Sequence, residues 1–134
     1  MITEFFLPMI PPTKTHQMKK VRVVKGKPVF YEPPEVMAVR QKLKAHLAWY
    51  VPEKKYTGAV RLVTKWCFPI TGKRQDGEYK NTRPDTDNMV KLLKDVMTDL
   101  GYWKDDSLVA SLVVEKFYSE IPGIYIKIEE VSNG

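Results

Sequence analysis

Residues 83–106 read RPDTDNMVKLLKDVMTDLGYWKDD. Met89, Leu92, Leu93, Val96, Met97 and Leu100 recur at three- and four-residue intervals, the spacing that lines one face of an α-helix, and Gly101 follows as a C-terminal cap. A helix with such a stripe has to lay it on a sheet or another helix. Its opposite side carries Asp87, Lys91 and Asp95 at intervals of four. The stretch thus joins a core-forming element to a run of acids.

The flanking chain supplies the partners. In AVRLVTKWCF (59–68), Val60, Leu62, Thr64, Trp66 and Phe68 fall on one side of a strand, with Arg61 and Lys65 on the other. ITEFFLP (2–8) reads as a first strand stopped by Pro8, and KKVRVV (19–24) and KPVFYE (27–32) flank Lys25-Gly26 as a hairpin. PPEVMAVRQKLKAHLAWYVP (33–52) opens on prolines suited to a first helical turn and aligns Val36, Val39, Leu43, Leu47 and Tyr50. PITGKRQDGEYKNTRP (69–84) follows neither period and reads as a long mobile loop. SLVASLVVEKFYS (107–119) and GIYIKIEEV (123–131) are two closing strands, expected to pair antiparallel. The expected fold class is α/β of the α+β kind, one small domain over residues 1–134 with a mixed, mostly antiparallel sheet and two main helices. Helices and strands do not alternate regularly, which argues against a doubly wound parallel sheet.

Composition narrows the function. A chain of 134 residues with 43% apolar content can bury one core. The net charge of +6 and pI of about 9.3 favour a polyanionic partner. The lone Cys67 excludes an internal disulfide, and MITEFFLPMIPP lacks the pattern of a secretory signal, so a reducing cytoplasm is expected. No apolar run approaches the roughly 20 residues that span a bilayer, and the basic residues do not follow one helical face. Nucleic acid, not membrane, is the expected partner.

Asp85 and Asp87, two positions apart, project to one side if the chain is extended there. Neighbouring carboxylates repel, and a divalent cation with a preference for hard oxygen, magnesium or manganese, relieves that. Lys91 follows one helical turn later, and the tight GYWK segment can return Asp105 or Asp106 toward the same place. Plain structural roles fit too: Asp87 as a helix cap, Asp87-Lys91-Asp95 as exposed ion pairs worth about 0.3–0.5 kcal/mol each, and Asp105-Asp106 as a solvated turn. Around the acids the sequence is basic. Lys14, Lys19, Lys20, Arg22, Lys25 and Lys27 precede Glu32 with no acid after Glu4, and Lys73, Arg74, Lys80 and Arg83 crowd the long loop. A basic surface around an acidic focus suits metal-dependent phosphodiester cleavage, because cations hold backbone phosphates while carboxylates hold the metal.

The ordered set DxDN, a lysine three residues after the asparagine, Gly-aromatic-Trp and then Asp-Asp resembles the RusA family of Holliday junction resolvases. PPTKTHQ (11–17) is similar to that family's N-terminal Pro-Pro motif, and the order of elements agrees over nearly the whole chain. The resemblance implies a homodimeric, Mg²⁺-dependent endonuclease, with Mn²⁺ as a substitute, of bacterial or phage origin. Such an enzyme makes paired nicks in branched DNA, specifically four-way junctions, in recombination and repair. It further implies that Asp85, Asp87 and Asp106 bind metal and that Lys91 is the catalytic lysine. Asn88 also matches, as do Asp95 and Asp105, which the resemblance leaves as supporting acids.

The chain departs from the family pattern at Thr15-His16, where an asparagine follows the prolines, and at KNTRP (80–84), where consecutive arginines precede the first aspartate. Both positions bear on how DNA docks, and His16 is a candidate contact to DNA or to a dimer partner. On residue chemistry alone, DNA contacts are expected from Lys14, Lys19, Lys20, Arg22, Lys73, Arg74, Lys80 and Arg83. Two other readings stand beside the resolvase: a non-catalytic DNA-binding module, and a nuclease for flaps, duplexes or RNA.

Overall fold

The computed structural model describes residues 1–14 and 20–132, so the expectations placed on His16 and Lys19 lie outside the described residues. The chain runs β1 (Ile2–Leu7), β2 (Lys20–Val24), β3 (Lys27–Tyr31), α1 (Pro34–Leu47), β4 (Val60–Pro69), α2 (Thr86–Leu100), β5 (Val109–Ser119) and β6 (Gly123–Glu130). Short 3-10 turns at Ala48–Tyr50 and Asp106–Leu108 follow α1 and precede β5. This is the expected α+β domain.

The main sheet has the order β1-β6-β4-β5. β6 pairs antiparallel with both β1 and β4, whereas β4 and β5 run parallel from Val60 beside Val109 to Pro69 beside Ser119. The expectation that the last two strands pair with each other is therefore wrong. β4 lies between them, because its alternating apolar face, buried at Val60, Leu62, Trp66 and Phe68, makes it fit for the sheet centre while the tight turn at 120–122 only reverses the chain. Parallel neighbours need a crossover, and α2 is that crossover.

Both helices cover one face of the sheet. Met89, Val90, Leu92, Leu93, Val96 and Met97 of α2 and Val36, Leu43 and Leu47 of α1 are buried against Phe5, Leu7, Val60, Leu62, Trp66, Ile124, Ile126 and Ile128. Val90 joins the stripe because it faces the sheet beside Met89, a position the simple helical count leaves out. Tyr50, by contrast, stays partly exposed and stacks on Phe5, with ring centroids 4.4 Å apart. α2 ends in a Schellman motif: Gly101 adopts φ 89°, its N–H donates to the Thr98 carbonyl, and the Tyr102 N–H donates to that of Met97.

The hairpin β2–β3 forms a separate two-stranded sheet. Lys25 and Gly26 both have positive φ, at 52° and 77°, the signature of the type I′ turn whose twist matches the strands. The long loop between β4 and α2 is not the free segment expected. It turns back along the outer edge of β5: the Gly77 N–H donates to the Tyr118 carbonyl, the Tyr118 N–H to that of Glu78, and the Lys80 N–H to that of Lys116. Tyr79 stacks on Phe117. An unpaired edge of a long strand is a strong template for main-chain pairing, and here the chain's own loop occupies part of it.

Thr64 is the buried polar side chain of the core among the described residues. Its Oγ1 donates to the Val113 carbonyl of β5 at 3.2 Å and accepts from the Trp66 indole at 2.9 Å. Thr64→Val keeps the shape but leaves the indole N–H unpaired, so unfolding in urea should show a loss of about 1–3 kcal/mol with an unchanged far-UV spectrum. An unchanged midpoint would mean the indole has another partner.

Candidate active site

The backtracking loop decides where α2 begins. Because residues 77–80 run down the edge of β5, the helix starts beside the middle of that strand, with Thr86, Asp87 and Val90 facing Leu112 and Val114 across one cleft. The Lys116 ammonium, half-buried on β5, donates to the carbonyls of Thr82 and Pro84, the latter at 2.8 Å. Burial and the neighbouring Lys80 hold that ammonium below the usual lysine range, with Asp85 acting in the opposite sense.

Asp85 takes the capping position of α2, with φ −70° and ψ 140°, yet its side chain accepts no capping hydrogen bond. The position expected for a cap thus falls to Asp85, not Asp87, and neither carboxylate is consumed by capping. Asp87 and Lys91 follow on the exposed side of the first turns. Among the described residues, Asp85, Asp87, Lys91, Asp95 and Asp106 form no ion pair, so the alternative of a salt-bridged helix face is not what the structure contains.

The second segment of the site is set by two buried aromatics. The Tyr102 hydroxyl donates to the Leu47 carbonyl at 2.6 Å, and the Trp103 indole donates to Thr98 Oγ1 at 2.7 Å. These bonds fold the GYWK segment tightly under the helix end. Asp105 then caps the following 3-10 turn by accepting from the Ser107 N–H at 3.0 Å, and that bond first of all, with a side-chain hydrogen bond to Asp106 adding, holds its carboxyl below the usual range. Asp106, the next residue, points back to α2. The two acids that sequence alone leaves equivalent are separated: one is a cap, the other faces the cleft.

Asp106 lines a cleft of about 460 Å³ with Thr86, Asp87, Val90, Lys91, Lys94, Leu112 and Val114. It also lines an adjoining cleft of about 340 Å³ with Arg40, Asp95, Thr98 and Asp99. Asp87, Lys91 and Asp106 are therefore brought together, and Asp95 flanks them. Asp85 is not among the lining residues. No three His, Cys, Asp or Glu side chains among the described residues form a ready metal cage. The donors in the cleft are nevertheless all of the hard-oxygen kind, without thiol or imidazole, which fits magnesium or manganese better than zinc. Asn88 is half-buried beside Asp87.

Arg40 is a residue that the sequence did not single out. It lies on α1, donates to Glu32 from both Nε and a terminal nitrogen, the shorter bond being 2.8 Å, and lines the adjoining cleft with Asp95, Asp99 and Asp106. Glu32 raises its pKa, against burial, with Asp95 and Asp99 adding in the same direction. Its signal in sequence was weak because it is one cation among many on an amphipathic helix.

The basic residues divide. Lys14, Lys73 and Arg83 are exposed. Arg74 is paired with Glu78 at 3.0 Å and lies over the Tyr118 ring. Lys80 donates to Thr82 Oγ1 at 2.8 Å and sits 4.9 Å from the centre of that same ring, so it braces the loop. Lys20 and Arg22 belong to β2 by their backbone, and their side chains lie outside the described set.

Asp95 is half-buried, and desolvation pushes its carboxyl above the usual range, with Arg40 opposing and Asp106 adding. A raised carboxyl pKa means the folded chain holds the proton more tightly than the unfolded one. Asp95 thus favours folding in acid and opposes it once pH rises through its folded pKa. Asp95→Asn should raise the melting temperature modestly at neutral pH, with the gain disappearing below about pH 4. A gain independent of pH would contradict this origin.

Residues 9–129 match the family described as endodeoxyribonuclease RusA. The chain is 35% identical over 130 residues to the crossover junction endodeoxyribonuclease rusA of Lactococcus phage r1t, covering 96% of each protein. It is 34% identical over 118 residues to the uncharacterized protein YqaN of Bacillus subtilis (strain 168), covering 80% of this chain and 82% of the relative. The family match over residues 9–129 and the 35% identity over nearly the full length place the chain in the RusA endodeoxyribonuclease family.

Proposed function

We propose that this protein is a divalent-metal-dependent endodeoxyribonuclease that resolves four-way DNA junctions by paired nicks, serving DNA recombination and repair. One observation carries the reading: Asp87, Lys91 and Asp106, drawn from two separate segments, line a single open cleft while forming no ion pair among the described residues. Asp87 and Asp106, with Asp85 at the helix start, would hold Mg²⁺, or Mn²⁺ in its place. Such an ion supplies a Lewis acid for the phosphate and a lowered pKa for bound water.

The remaining steps belong to the chain. Lys91, exposed one turn after Asp87, presents a compact ammonium to the scissile phosphate and meets the negative charge that develops there. Lys73, Arg83 and the basic hairpin hold flanking phosphates, where each neutralised contact releases counterions and makes binding salt-dependent. Lys80 and Arg74 contribute chiefly to loop structure, since each already has a partner. A two-fold homodimer would present two equivalent clefts to a junction of matching approximate symmetry, so that the nicks are paired.

Single-turnover assays on four-way, three-way, flap and linear DNA and on RNA, with Mg²⁺, Mn²⁺ or chelator, test this directly. Four-way DNA should be cut fastest and only with metal. Asp85→Asn, Asp87→Asn, Asp106→Asn and Lys91→Met should each lower the rate by roughly a hundredfold or more while the junction is still bound. Asp105→Ala should cut at close to the wild-type rate, because that side chain caps a turn. Wild-type cutting by folded Asp106→Asn would end the assignment.

A further inference from the structure

Lys116 combines three features that its place on a strand does not require. It is half-buried, it forms no ion pair among the described residues, and its ammonium is turned onto main-chain carbonyls of another segment. Bringing an ammonium out of water carries a free-energy cost that an apolar side chain at the same place avoids. Its two acceptors, the carbonyls of Thr82 and Pro84, lie three residues and one residue before Asp85.

On the other side, the Asp85 carbonyl accepts from the Met89 N–H at 3.2 Å, the first bond of α2. The backbone of Asp85 is therefore held between an anchored carbonyl before it and a helix after it. Its carboxylate is left out of the capping role. The segment is gripped from β5 a second time, since the Lys80 N–H donates to the Lys116 carbonyl and Lys80 Nζ donates to Thr82 Oγ1. The same strand leads back through Val114 and Leu112 to the cleft that holds Asp106.

We propose that Lys116 is a positioning residue for the Asp85–Asp87 arm: by gripping the Thr82 and Pro84 carbonyls from β5, it fixes where that arm stands relative to Asp106 and so how readily the carboxylates close on a hard divalent cation. The role rests on the proposed reading of these acids as metal ligands. It acts through the backbone, without contact to the substrate. Groups that orient metal ligands typically change metal affinity by about 10–100-fold when removed, and a misplacement of about 1 Å can slow a reaction about a hundredfold.

The test is Mn²⁺ binding to the DNA-free protein, followed by electron paramagnetic resonance, beside thermal melting, junction affinity in Ca²⁺ and the Mg²⁺ dependence of single-turnover cleavage. Lys116→Met should fold and bind the junction nearly as wild type does. It should bind Mn²⁺ roughly tenfold more weakly and need correspondingly more Mg²⁺ for half-maximal cleavage. Lys116→Arg, which can still donate to both carbonyls, should recover most of both losses. Lys116→Gln, which retains one donor, replaces Lys116→Met if that variant does not fold, with weakened Mn²⁺ binding again expected. A lower melting temperature with unchanged Mn²⁺ affinity would mark Lys116 as structural and overturn the proposal, as would a loss confined to DNA affinity. If wild-type protein binds no Mn²⁺, the metal reading falls and takes this role with it. If wild type binds and Lys116→Met binds equally, only the role of Lys116 falls.

Discussion

The pairing of residues 77–80 with the outer edge of β5 is the constraint on which the rest of the site depends. A crossover from β4 to a parallel β5 needs a connection, and the simplest one would start its helix beyond the end of β4. Here the loop first retraces the edge of β5, so α2 starts beside that strand's middle and its acidic first turn faces Leu112 and Val114. The backbone bonds at Gly77, Tyr118 and Lys80 and the ring contact of Tyr79 with Phe117 set the path. Lys116 extends the same seam to the residues just before Asp85.

A second constraint delivers the other half of the cleft. Gly101 ends α2 with a left-handed turn, and the buried Tyr102 and Trp103 fasten the next residues to the Leu47 carbonyl and to Thr98. Burial raises the Tyr102 hydroxyl's pKa well above the usual tyrosine range, so it remains a protonated donor to that carbonyl at any ordinary pH. Trp103 also bridges to Tyr56, whose N–H donates to the Tyr102 carbonyl. With the turn anchored from both sides, Asp105 is committed to its cap and Asp106 to the cleft. Packing energy in the core is thus converted into the position of one carboxylate.

The charges follow the same division of labour. Ion pairs join Arg40 to Glu32, Arg61 to Glu129 and Arg74 to Glu78, all away from the first turns of α2. The acids of the helix and of the following turn make no ion pair among the described residues. Half-buried acids set close together weaken a fold by desolvation first and by repulsion second, as the raised carboxyl of Asp95 illustrates. It is the kind of local conflict between stability and chemistry that is expected where a protein acts on something else.

The sequence by itself determined the elements and the chemistry they carry. The apolar intervals of α2, the alternation in β4, the Lys25-Gly26 turn and the Gly101 cap are local patterns with local causes, and each is in place. The resemblance in residues 83–106 likewise marked the family. Tertiary structure decided the pairings and the partners. Strand order depends on which faces find each other across the core, so β6 lies between β1 and β4, a choice that no spacing within 107–131 encodes. The loop at 69–84 lacks a period because the bonds that set its path are made to β5, more than thirty residues away in sequence, with only short turns closed within the loop itself. The separate fates of Asp105 and Asp106, of Lys80 and Lys73, and of Lys116 and Arg40 were hidden for the same reason: a charged residue has the same letter whether it caps a turn, braces a loop or faces an open cleft, and only the fold supplies its neighbours.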